Sequence, residues 1–333
     1  MPATTYRAGG MQRDRLSGGM TTSKWADASK RRRKWIPVRI AAVVSAMAIV
    51  GAVVWAGQPG AQRVQAAFYG LSAAAQRSSQ RAAVRLTLGD WSHVALPGVE
   101  LYVEPGVGAA GARAVEHALS RGEPAVTRDF GVSTHHVWPV ALVTRNTMAA
   151  RLRVAPGAAP LGYYQGGVIW LLDPGAFLPD GPGLSEVYGR RGPVVHELTH
   201  EADAVVSGGT VPRWFDEGLA QYEDWRLTGY VWLQSNDTFT QPPYTWRQLD
   251  GGAFGNLPNQ ALAYRQALAT TAAICRRGAG TCVQVLRQLR MGAGMSAAID
   301  SVAGPSLLSR IRSGAFWAPG TGPEPGSGAG PAP

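Results

Sequence analysis

The chain has 333 residues, 45% of them hydrophobic, enough to bury one enzyme-sized core. Its formal charge of +10 is not spread over that core: residues 1–39 hold ten of the 32 Lys and Arg but only Asp14 and Asp27 of the 22 acidic residues, which leaves 22 against 20 for everything after Arg39. A near-neutral remainder excludes a nucleic-acid binder that works through a basic surface.

Residues 1–29 are polar and lack apolar periodicity, and with the cluster Lys30-Arg31-Arg32-Arg33-Lys34 they predict a disordered basic tail over 1–35. Beyond Trp35 and Arg39 come 23 uncharged residues whose apolar heart, IAAVVSAMAIVGAVVWAG, occupies 40–57. Eighteen helical residues reach roughly 27 Å against a hydrocarbon core of roughly 30 Å, so one transmembrane helix is predicted over 36–57. Positive charge stays on the cytoplasmic side, which puts the N-terminus in the cytoplasm and the rest outside, anchored in the cell membrane by a single pass. Val54 and Ala56 also suit signal cleavage, and the alternative is a secreted domain.

An Ala-, Gln- and Arg-rich stretch at 62–85 reads as a helical stalk, assigned to 58–88. Strands are expected at 94–103, 137–143 and 163–172, with a helix at 111–128 between the first two. Gly166-Gly167 inside the third would let an extended chain added to this strand as a sheet edge approach its backbone closely, with a mere bulge as the even alternative. Helices dominate from Pro193: one through HELTH, then 214–225, 261–276, 282–290 and 306–313. The Gly/Pro-rich end, 314–333, predicts a disordered tail.

The chemistry is concentrated in GPVVHELTHEAD. His196 and His200 are four residues apart, so on a helix they share a face and can grip one metal ion, with Glu197 flanking the remaining coordination position. Val194-Val195 ahead of the motif suits a buried helix, and Pro193 suits its first turn. A third ligand is required, and Glu217 follows in PRWFDEGLAQYED with sixteen residues between it and His200.

HELTH followed by W-x-x-E-G-x-A-x-Y resembles the gluzincin zinc metallopeptidases, the clan of thermolysin and the membrane alanyl aminopeptidases, and most closely the bacterial peptidase MA-like domains. The resemblance covers about 90–310 in organisation and 194–224 in motif, and its His-to-Glu spacing is a little shorter than those two enzymes use. It implies a Zn2+ site made by His196, His200 and Glu217, with Glu197 as general base. The metzincin extension would place His where Val206 stands, and no Asp follows Gly209-Thr210 to serve an Asp-liganded site. The resemblance also points to Tyr264, in ALAYRQALATTAAI, as an oxyanion donor. A tyrosine packed into the core is the equal alternative, and Tyr222 and Tyr244 compete for the role.

Among the remaining candidates, Cys275 and Cys282 have six residues between them and are expected to form a disulfide outside the cytoplasm. Glu201 and Asp203 are read as a solvated face rather than as partners of the histidines, and His93, His117, His135 and His136 as surface or core residues. The expected fold is therefore an α+β, zincin-like metallopeptidase domain over 89–313, with a mixed sheet, an active-site helix and a helical C-terminal half. The expected function is hydrolysis of peptide bonds in a peptide or protein substrate. Two alternatives are a non-catalytic extracytoplasmic binding domain on a peptidase fold, which has no need of Glu197, and an amidase acting on cell-wall peptides.

Overall fold

A computed structural model describes residues 61–231 and 242–313. The basic tail, the predicted transmembrane helix and the C-terminal tail lie outside the described residues, and none of the described helices is long and apolar enough to cross a membrane. The described residues form an α+β fold with one five-stranded mixed sheet and eleven α-helices.

Strands β1 (Ser92–Leu96), β2 (Val99–Val103), β3 (Trp138–Val143), β4 (Gly162–Gln165) and β5 (Val168–Leu172) are arranged in the order β1-β2-β3-β5-β4. The three central strands run parallel, and β1 and β4 close the two edges antiparallel. Parallel strands are covered on both faces, so they read as continuous apolar runs; β3 and β5 are buried at every position. Side chains still alternate. Leu101, Val140, Leu142, Ile169 and Leu171 share one core with Leu119 and Phe130 of α2 (Ala109–Phe130) and Leu198 of α5 (Val194–Ser207). Tyr102, Ala141, Val143, Val168, Trp170 and Leu172 face a second core with Val84, Leu88 and Met148. Each fully buried Leu or Ile contributes about 1.5–3 kcal/mol relative to an exposed one.

Two stretches expected as single strands are hairpins. Within 94–103, Pro97 and Gly98 form a two-residue turn, with Gly98 at φ 71° and Leu96 paired to Val99. Within 163–172, Gly166 and Gly167 have φ of 59° and 88° and join β4 to β5, with Gln165 paired to Val168. Two successive residues at positive φ define the hairpin turn whose twist matches the strands, so the glycine pair reverses the chain where a bulge would only bend it.

The segment expected as a stalk is helix α1 (Ala61–Thr87), whose last turns lie on the sheet: Val84 and the following Leu88 are buried in the second core beside Met148 of α3 (Arg145–Leu152). Beyond α4 (Leu184–Arg191) and α5, the chain is helical as expected: α6 (Arg213–Thr228), α7 (Trp246–Asp250), α8 (Gln260–Ile274), α9 (Ala279–Arg290), α10 (Met295–Ala303) and α11 (Pro305–Ser313). Cys275 and Cys282, both fully buried, are disulfide-bonded across the junction of α8 and α9.

Candidate metal centre

Helix α5 ends at Gly208, which adopts the left-handed conformation at φ 74°, and Gly209 follows at φ 80°. These glycines and Pro212, the residue before α6, reverse the chain in five residues, so α6 returns alongside α5. Glu217, one turn into α6, thereby comes level with the histidine pair. Its position depends in turn on Gly218, where an added Cβ would lie 2.6 Å from the Ala267 carbonyl oxygen and 2.3 Å from Thr271 Oγ1. Only glycine lets α8 approach α6 this closely, and that approach brings Tyr264 to the site.

Three ligand atoms converge. His196 Nε2 and His200 Nε2 are 3.1 Å apart, and Glu217 Oε2 lies 3.5 Å from the first and 3.7 Å from the second. Tetrahedral zinc with bonds of about 2.0–2.2 Å to nitrogen and oxygen separates its ligand atoms by about 3.3–3.5 Å, so the triangle has the size such an ion requires. Two imidazole nitrogens facing one another across 3.1 Å beside a carboxylate form a donor set suited to a borderline divalent cation.

The surroundings orient these ligands. His200 Nδ1 is 2.5 Å from Asp216 Oδ1, which leaves Nε2 to face the centre. In the metal-free protein burial acts to lower the pKa of His200, but the Asp216 carboxylate overrides it and raises the imidazole to about 10. Burial likewise raises Asp216, and His200 more than offsets this, holding it at about 2. Asp203 is 3% exposed; burial and the neighbouring Asp216 charge push its carboxyl well above the usual range. Burial raises Glu217, but its bond to His196 and the charge of His200 bring it below the ordinary value. Glu197, 5% exposed, is raised, first by burial.

The centre opens into a cavity of about 1040 Å³ lined by strand β4, the preceding loop, α5, α6 and α8. Glu197 sits against the start of β4: a Cβ on Gly162 would lie 2.6 Å from Glu197 Oε1 and 2.7 Å from its Cγ. No family model, curated protein or solved structure matches this chain. The chemistry of the site therefore rests on its own residues.

The expected site residues His196, Glu197, His200, Glu217 and Tyr264 all line this one cavity. Tyr264 reaches Arg213 and Glu217, and burial and the Glu217 charge push its hydroxyl up to about 12. Its competitors are engaged elsewhere: Tyr222 donates to the Cys275 carbonyl at 3.3 Å, and Tyr244 bridges the backbone of Asn259. The solvated face expected at Glu201 and Asp203 is overturned, since both are at most 3% exposed, because α1 and α6 cover that side of α5. His136 is a half-buried, satisfied histidine: its Nε2 lies 3.0 Å from Glu201 Oε1. Asp216 is a site residue that the sequence reading omits; a carboxylate adjoining Glu217, the candidate third ligand, is the available signal.

Proposed function

We propose that the chain is a zinc-dependent metallopeptidase of the zincin-like type, acting on peptide or protein substrates. The observation that carries this reading is the triangle of His196, His200 and Glu217, sized for one tetrahedral ion and open to a cavity in which Glu197 is the adjacent buried carboxylate. Zinc held there would act as a Lewis acid, polarising the scissile carbonyl and making water acidic near neutral pH.

The protein's own groups supply the remainder. Glu197 accepts the proton of the attacking water and delivers it to the leaving amine as the C–N bond breaks. Asp216 holds His200 in the orientation that presents Nε2. Tyr264, whose hydroxyl stays protonated at neutral pH, donates to the oxyanion that develops on the carbonyl. The apolar segment 36–57 would anchor the domain outside the cytoplasm, and the Cys275–Cys282 disulfide favours such an oxidising compartment.

The deciding experiment measures zinc content and identifies cleaved peptides by mass spectrometry for the purified protein, Glu197→Gln and Glu217→Ala. Wild type should bind one zinc and cleave; Glu197→Gln should keep zinc and lose about 10²–10⁴ in rate, and Glu217→Ala should lose zinc. Cleavage by Glu197→Gln at the wild-type rate would overturn the assignment.

A further inference from the structure

Helix α1 carries Arg77, Arg81 and Arg85 at four-residue spacing, so the three stems share one face. That face is docked. Arg85 forms a two-point pair with Glu100 of β2, Nε to Oε2 at 2.9 Å and Nη2 to Oε1 at 3.0 Å. The stem of Arg77 lies over Gly167, where an added Cβ would come within 3.0 Å of Arg77 Cβ. With its amide nitrogen turned to the hairpin, Gln80 donates to the carbonyls of Gln165 at 3.0 Å and Gly166 at 3.3 Å. The space beside Gly166-Gly167, expected to admit an extended substrate, is taken by the Arg77 and Gln80 side chains of α1.

Arg81 differs from its neighbours because it joins three elements at once. Its Nε donates to the Gly167 carbonyl at 3.2 Å, and its Nη2 donates to Glu201 Oε1. Glu201 is the residue after His200, and its side chain is 1% exposed. The Gly167 amide also donates to the Tyr164 hydroxyl at 3.1 Å. Through Gly167 and Glu201, Arg81 links α1, the β4–β5 hairpin and the metal helix. Tyr164 also lines the cavity and stacks near His200, with ring centroids 6.3 Å apart.

We propose that Arg81 is a positioning residue of the site: through Gly167 and Glu201 it braces the cavity's edge strand against the metal helix and sets the distance between the strand and the histidine pair. Two contacts suit a guanidinium specifically, since its Nε and Nη2 point along separate directions in one rigid plane, whereas a lysine ammonium is a single point donor. The consequence for turnover rests on the peptidase reading; the bracing does not.

The test compares full-length wild type with Arg81→Lys, Arg81→Ala and Arg85→Ala. Amide exchange in 162–167, followed by mass spectrometry, should accelerate about tenfold or more in both Arg81 variants and change less than about twofold in Arg85→Ala, which loosens the same helix away from the site. Arg81→Lys, which keeps a cation for Glu201, should retain one zinc per chain and raise KM for a cleaved peptide by about tenfold, with kcat changed far less. Should Arg81→Ala fail to fold, Arg81→Lys decides. Unchanged exchange in Arg81→Lys, or equal effects from Arg85→Ala, would overturn the proposal and leave Arg81 as a helix-docking ion pair. Absence of zinc and cleavage in wild type would instead count against the peptidase reading, with the exchange comparison still deciding the brace.

Discussion

Replacing Gly162 by Ala adds one methyl group at the place where the edge strand meets Glu197. The new Cβ would lie 2.6 Å from Glu197 Oε1, 2.7 Å from its Cγ and 2.8 Å from Pro193 Cβ. Carbon atoms in ordinary contact are about 3.5–4.0 Å apart, so the carboxylate or the strand must retreat by about 1 Å. The strand has little freedom, because Leu172 donates to the Leu161 carbonyl at 2.9 Å and β4 is paired with β5 along its length. Glu197 therefore moves. A 1 Å misplacement of a reacting group can cost on the order of 10² in rate, about 2.7 kcal/mol of barrier, while overpacking costs about 1–3 kcal/mol of stability. The assay is kcat on a quenched peptide chosen by cleavage profiling, with zinc measured on the same samples. Zinc should remain at one per chain, because the three atoms nearest the added Cβ belong to Glu197 and Pro193 and not to His196, His200 or Glu217. The double variant Gly162→Ala/Glu197→Gln should be no slower than Glu197→Gln alone, since both changes act through one carboxylate. A folded Gly162→Ala protein with wild-type kcat, or rate losses that multiply in the double variant, would refute the reasoning.

The raised His200 sets a pH dependence for the metal-free protein. Because its folded pKa of about 10 exceeds the unfolded value of about 6.5, its pairing with Asp216 stabilises fully below pH 6.5 and the contribution is lost as pH rises through about 10. Thermal melts of chelator-treated protein should show that decline, and Asp216→Asn should flatten it; equal slopes in the two proteins would remove Asp216 as the cause. In calorimetric zinc titrations at pH 8, wild type should release about one proton from His200 and Asp216→Asn markedly less. Tyr264→Phe should retain zinc and lose about 10²–10³ in kcat with little change in KM; a change in KM alone would make Tyr264 a binding residue. Protease added to intact cells should remove the C-terminal domain and spare a tag at Met1, and a protected C-terminus would reverse the predicted topology.

Local spacing was enough to read much of this protein. A helical repeat of 3.6 residues puts His196 and His200 on one face whatever surrounds them, and the runs that became β3, α2, α6 and α8 were legible from their apolar content and the turn residues that bound them. The pairing of Cys275 with Cys282 needed only a short reversal between two helices. The turn glycines were visible too, but a pair at 166–167 is compatible with a bulge or a hairpin until a strand is found on each side. What neighbouring elements cover could not be read along the chain. Glu201 and Asp203 look solvated on an isolated helix; they are buried because α1, which precedes the whole sheet, and α6, beyond a five-residue reversal, close over them. The same packing turns Asp216 toward His200 and brings Tyr264 to Glu217, because these contacts are set by how closely whole helices approach, and that distance is decided at glycines such as Gly218 rather than at the residues that meet.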